Sequence, residues 1–369
     1  MRSLLLNKKK LNKNVSNVTR LLKIDGGKIE IRPGHNGPYN DVETALRNTC
    51  HLAILLVHFE IFDDKELQSL VIDQLAESLL SDRYQPLEAA YWSRMNREKD
   101  FCNGLMGQAW VLESLIELYK FSGETRFIDK AKSLFKLHPY NSMTHSWHRI
   151  SVDGSVLSPD PTFNHQLWFA AMGLQIDDDQ IQAVCKDFFD NSLSRCQVYR
   201  NGVIYHDSRV GMTPRFPGVP KLLNAVLTVA LNFKRKRALY YKSVGYHSFN
   251  LYAFAIIFEY LPNHDFWKSK KFSLIKNVIT RRKFLKDLEK SDYGWQYNPP
   301  GLEIAYFVQN FIGDKELVKT WLRRHLELTY DVDSQELLTS CAHDKMTAVA
   351  RLYELYRIKS DLISDAFDT

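Results

Sequence analysis

"SPDPTFNHQLWFAAMGLQIDDDQIQAVCKDFFDNSL", residues 158–193, holds two kinds of helix side by side. "FNHQLWFAAMGL" (163–174) is apolar or aromatic nearly all round, which marks a helix buried on most sides. "DDDQIQAVCKDFFDNSL" (177–193) opens on an acidic cap and carries one apolar stripe, so one face meets water. The first also begins oddly for a packing helix. Two prolines precede it, and Asn164, His165, Gln166 and Trp168 crowd its first two turns.

The same pairing recurs outward in both directions. Helices apolar on most sides are expected at "RNTCHLAILLVHF" (47–59), "NGLMGQAWVLESLIELY" (103–119), "GYHSFNLYAFAIIFEY" (245–260), "PPGLEIAYFVQNF" (299–311) and "SCAHDKMTAVARLYELY" (340–356). One-striped partners are expected at "DDKELQSLVIDQLAESLL" (63–80), "SGETRFIDKAKSLFKL" (122–137) and "GDKELVKTWLRRHLEL" (313–328), with "KLLNAVLTVALNF" (221–233) as an extra helix. Strand signals are sparse: "KIEIRP" (28–33), and "QVYRNGVIYHD" (197–207) with Asn201-Gly202 as the turn of a small β-hairpin insertion. Six buried helices alternating with exposed ones predict an all-α fold, helical hairpins closed into an (α/α)6 toroid. The toroid is expected to span 31–369 as one domain behind a basic N-terminal segment, 1–30.

In such a ring the inner helices run the same way, so their N-termini share one mouth, and helix dipoles favour anions there. The residues at these starts are the candidate site. Asp160 reads as the N-cap and Pro161 as the first helical residue of the opening stretch. Asn164 and Trp168, four apart, share a face. The other starts supply His35, Tyr39, Asp41, Glu43, Arg47, Asn48 and His51; Asn103, Gln108 and Trp110; Tyr246, His247 and Asn250; Trp295, Tyr297 and Glu303; His343 and Asp344. Aromatic faces stack on sugar rings, while amides, imidazoles and carboxylates answer hydroxyls, so a carbohydrate is the expected ligand.

The 369 residues carry a net charge of +6, with 45% hydrophobic and 25% charged. This mildly basic balance suits an acidic glycan. Much of the excess sits in "NKKKLNKN" and in "FKRKRALYYK" (233–242), read as solvated surface. Five scattered cysteines, without CxxC or metal spacing, indicate a reducing compartment, and no HExxH supports a metal; no cofactor is expected. No apolar run reaches transmembrane length, and the start lacks the pattern of a signal peptide. The expectation is a soluble cytoplasmic protein with no membrane insertion and no nucleic-acid partner.

The pattern resembles the (α/α)6 toroids of carbohydrate-active enzymes: unsaturated uronyl hydrolases, sugar 2-epimerases, uronyl C5-epimerases and several polysaccharide lyases. "NGLMGQAWVLESLIELYKFSGE" (103–124) is similar to the Gly-Trp helix of the uronyl hydrolases. "FNHQLW" (163–168) resembles the Asn-Asn-His-x-x-Trp motif of toroidal alginate lyases, with Phe163 where that family has its first Asn. The resemblance implies that Asn164 neutralises a uronate carboxylate and that His165 helps remove the C5 proton. It also implies a later tyrosine as acid or base, assigned to Tyr246, and an arginine, for which Arg209 and Arg215 are candidates.

The expected reaction is therefore β-elimination at a uronic acid. The alternatives are hydrolysis of unsaturated uronyl oligosaccharides, with Asp41, Asp160, Asp207, Glu303 or Asp344 as the acid; epimerisation between His165 and His247; and glycan binding or assembly without turnover.

Overall fold

The computed structural model describes residues 18, 21–25, 28–208, 220–331, 336–337 and 342–367. The inner helices are α1 (Leu46–His58), α3 (Gly104–Ser122), α5 (Phe163–Gly173), α9 (His247–Tyr260) and α12 (Gly301–Phe311). The sixth position is a broken element. α14 (Lys345–Ala350) passes directly into a 3-10 helix, Arg351–Arg357. Neighbours pack in the order α1, α3, α5, α9, α12, Arg351–Arg357 and back to α1, so the ring closes.

The outer layer follows from the caps and stripes. Asp64 accepts from the N–H groups of Glu66 and Leu67 at 2.9 and 3.1 Å and so opens α2 (Lys65–Leu80). Next come α4 (Thr125–Leu137), α6 (Asp179–Arg195) and α13 (Lys315–Thr329). Behind α9 the outer position is filled by short pieces, α10 (Lys270–Lys276) and α11 (Arg282–Glu289). α15 (Ser360–Phe367) packs beside α13 in the outer layer. α7 (Lys221–Ala238) is the extra helix and runs straight into α8 (Tyr240–Gly245).

The β structure differs from the sequence reading in one place. Residues 197–207 fold back antiparallel as the small hairpin expected, though only as a bridge of Val198 to Ile204. Tyr199 N–H donates to the Val203 carbonyl at 2.8 Å and Tyr205 N–H to the Gln197 carbonyl at 3.0 Å. The difference lies elsewhere. A three-stranded sheet with no strong alternation in its sequence lies between α4 and α5: β3 (Tyr140–Asn141), β4 (Ser146–Ile150) and β5 (Val156–Pro159). Before α1, β1 (Leu22–Asp25) pairs antiparallel with β2 (Lys28–Ile31), and Leu22, Ile29 and Ile31 join the toroid core. Most of the 1–30 segment, with Arg209, Arg215 and Cys341, lies outside the described residues. No helix among the described residues is long and apolar enough to cross a membrane.

A cationic cavity at the mouth of the ring

A cavity of about 230 Å³ opens where the inner helices begin. Tyr39 and Arg47 reach it from α1 and the turn before it, Asn103, Gly104 and Trp110 from α3, and Asn164 and His165 from α5. Tyr246 and Phe249 come from the start of α9, and Tyr297 from the turn ahead of α12. Asp344 sits at the same end. It caps α14 through Thr347 N–H at 3.1 Å and accepts from His35 and Asn36 N–H at 2.8 and 3.1 Å.

The centre of the site is an Asp–His pair. Asp160 does not cap α5; Thr162 is the N-cap and Phe163 the first helical residue. The Asp160 carboxylate instead turns toward α3. Its Oδ2 accepts from Leu105 N–H at 2.9 Å and from His165 Nδ1 at 2.9 Å, and its Oδ1 accepts from Thr162 N–H at 2.9 Å. Burial alone would raise its pKa, but the His165 imidazole and these hydrogen bonds hold it down at about 2. An ionised carboxylate only accepts, so Nδ1 of His165 carries a proton toward Asp160. His165 lines the cavity.

Gly104 makes room for the pair. Its φ of +58° is left-handed, and a Cβ there would lie 2.2 Å from Asp160 Oδ2 and 2.9 Å from His165 Nδ1. Gly104→Ala is expected to cost about 1–3 kcal/mol of stability. For any reaction that uses the imidazole, it should also lower turnover by about 10²-fold by displacing that ring. Thermal melting beside a rate assay checks both, and a normal rate would show that the pair tolerates displacement.

Five cations surround the pair: Arg47, Arg94, Lys99, Arg149 and Lys242. Against them stand two lining carboxylates, Asp160 and Asp100, and Asp100 is held by Arg149 at 2.5 Å and Arg94 at 3.5 Å. Lys99 pairs with Asp41. Arg47 lies 4.5 Å over the Trp110 ring, and its Nε and Nη1 are buried without a hydrogen-bond partner. Both polar atoms of the Asn164 amide are likewise buried and unpartnered. Unsatisfied buried polar groups are costly, and at a cavity wall they point to a ligand that completes them.

Lys242 sits over three phenol rings, Tyr39 at 5.1 Å, Tyr293 at 5.6 Å and Tyr246 at 6.0 Å. Burial, with Arg94 and Lys99 nearby, brings its ammonium down to about 8. Tyr246 is pushed well above an ordinary phenol, chiefly by burial and then by Tyr297 and Tyr39, so it keeps its proton. His206 packs on Tyr246 at 4.5 Å, and burial holds it neutral.

Several residues named from the sequence lie elsewhere. His247 is fully buried behind the wall, where its Nδ1 accepts from Ile204 N–H at 3.3 Å, and burial lowers its pKa to about 4. Trp168 donates to the Phe249 carbonyl at 2.9 Å and stacks on Tyr252 in the core. Gln166 ties to the Trp147 backbone and Gln108 to the Tyr91 backbone. Asn48 donates to the Arg32 carbonyl, and His51 stacks on Tyr353 at 4.5 Å. Trp295 faces a separate surface groove with Arg323 and Arg324. Glu303 is buried against Arg351 at 2.6 Å, and Asp207 pairs with Thr162 through the backbone. Among the described residues no group of three or more His, Cys, Asp or Glu is placed to hold a metal ion.

Sequence reasoning missed Arg94, Lys99, Asp100, Arg149, His206 and Lys242. All come from loops, β4 or α8, and not from inner helices. The basic run at 233–242, which ends on Lys242, was the one signal pointing toward any of them.

The chain is 35% identical over 338 residues to archaeal glycosylation protein Q of Haloferax volcanii, covering 88% of this chain and 91% of that protein. No family model matches it. Among solved structures it is similar to cellobiose 2-epimerase from Bacillus thermoamylovorans B4167, with a TM-score of 0.57 and 11% identity over 94% of this chain and 98% of that one. It is also similar to a family 76 glycoside hydrolase (mannosidase) from Bacteroides thetaiotaomicron VPI-5482, with a TM-score of 0.56 and 9% identity over 98% and 99% of the two chains. At such identities these likenesses establish the (α/α)6 toroid and nothing of the chemistry.

Proposed function

Because the chain belongs to the family of archaeal glycosylation protein Q, we propose that it is a glycan-processing enzyme acting on a uronic acid, with His165 as the base that removes the C5 proton. The observation that carries this reading is the Asp160–His165 pair beside buried polar atoms without partners, the Asn164 amide and Nε and Nη1 of Arg47, in a cavity rich in cations. A C5 proton is acidic only when the adjacent carboxylate is neutralised, which is the task these donors suit.

The steps balance without a cofactor. His165 Nε2 takes the C5 proton, the electron pair forms the C4–C5 double bond, and the C4–O bond breaks. Tyr246, which holds its proton, supplies it to the leaving oxygen. Hydrolysis fits less well. Asp160, kept ionised near 2, is a poor proton donor, and Asp100 is engaged by two arginines. Glu43, pushed up to about 7 mainly by burial, does not line the cavity.

Epimerisation is the second reading, favoured by His206. Its Nδ1 is buried and unpartnered, and it sits against Tyr246 as a second neutral base. One assay separates the readings. Elimination raises ultraviolet absorbance when the protein meets an intact polyuronate, through the conjugated double bond. Epimerisation leaves absorbance flat but carries solvent deuterium into C5. A loss of absorbance from unsaturated oligosaccharides, with no gain from any polyuronate, would overturn the proposal in favour of hydrolysis.

A further inference from the structure

α7 turns an apolar stripe to water. Leu223, Val226, Leu227, Ala230 and Phe233 follow at spacings of three and four, so they share one helical face, and all are exposed. Val226 is 59% and Phe233 68% exposed, and Val229 and Leu231 beside the stripe are exposed too. A folded chain rarely leaves so much large apolar surface together unless something covers it.

The last turn supplies the second observation. Lys234, Arg235, Lys236 and Arg237 are consecutive, and all but the half-buried Lys236 are exposed. One cation at a helix C-terminus answers the helix dipole, but four in a row exceed that need. An apolar face with a dense positive charge at its end matches a negatively charged lipid surface, where the helix lies in the plane with its apolar face among the acyl chains. α7 is not long and apolar enough to cross a membrane, which agrees with lying on one.

Continuity with the mouth gives the arrangement a purpose. Leu239 ends α7 and begins α8, and α8 carries Lys242 into the cavity wall. We propose that α7 docks the protein on an anionic membrane surface, with the mouth of the ring held beside it. This inference stands on α7 alone and does not depend on the reaction at His165.

Flotation of the full chain with vesicles tests it. The protein is expected to float with mixed phosphatidylglycerol and phosphatidylcholine vesicles, to stay behind with phosphatidylcholine alone, and to be released by salt. Val226→Glu with Phe233→Glu should lower the bound fraction by at least about 10-fold. Arg235→Gln with Arg237→Gln should lower it about fivefold per cation. Unchanged circular dichroism and melting in both variants keep the comparison one of folded proteins. The proposal is overturned if the wild-type chain floats with neither vesicle, or if both variants float as it does. It is also overturned if Val226→Glu with Phe233→Glu converts a dimer to a monomer while the wild type ignores vesicles, which would assign the stripe to a second copy.

Discussion

On the function proposed above, His165→Ala is expected to lower turnover of an acidic glycan by about 10²–10⁴-fold while the toroid stays folded. The magnitude follows from removing the proposed base, whose other nitrogen is held by Asp160 at 2.9 Å. The stability side follows from burial. The His165 side chain is mostly covered, but it stands at the cavity wall, so its loss enlarges the cavity and leaves no sealed void in the core. Asp160→Asn should approach the same loss of rate at nearly unchanged shape, because an amide no longer dictates which ring nitrogen holds the proton. Circular dichroism melting beside an absorbance assay decides the matter. A variant that loses rate only in step with its folded fraction makes His165 a packing residue.

Arg351→Met should cost about 3–5 kcal/mol of stability, as breaking a buried ion pair from one side does. The Arg351 guanidinium meets Glu354 at 2.8 Å, Glu303 at 2.6 Å and Asn298 at 3.2 Å, all buried. Burial pushes the Glu303 carboxyl up to about 8, against the pull of Arg351, and raises Glu354 as well. An acid whose folded pKa lies above its unfolded one gives stability present at low pH, and that stability is lost as pH rises through the folded value. Without Arg351 the folded values rise further. The gap between variant and wild type should therefore widen from mildly acidic to alkaline buffer. Urea unfolding across that range measures it, and a gap that narrows with pH refutes the account.

The architecture was readable because burial on all sides and burial on one side leave different periodicities. Six such alternations leave few ways to close a core. Asn164 and His165 were readable because polar groups at the start of an otherwise apolar helix need a reason to be there. Depth was not readable. Asn164 and Trp168 share a face, but four residues carry Trp168 about 6 Å further along the helix, beneath the cavity floor and into the core. Gln166, two residues from Asn164, points another way and ties down Trp147. The role of Asp160 was hidden for a different reason. A cap and a carboxylate that orients a histidine occupy the same place in sequence, and only the approach of α3, through Leu105 N–H and Gly104, separates them. Arg94 and Lys99 arrive from one loop and Arg149 and Lys242 from two other segments far from it in the chain, and apart from the basic run that ends on Lys242 no local pattern marks residues that meet only after folding.

The seam of the ring has a consequence for how the protein is made. α1 packs against Arg351–Arg357, and Asp344 holds the backbone of His35 and Asn36, so the first and last inner elements meet across some 300 residues of chain. On the ribosome the open flanks of α1 and α12 must wait, apolar and uncovered, until residues 351–357 have emerged. Contacts so distant in sequence form slowly. The hairpins can mature one by one, but the mouth is assembled last. A nascent chain therefore passes through a long interval as an unclosed arc, the stage at which chaperone capture or wrong association competes with completion.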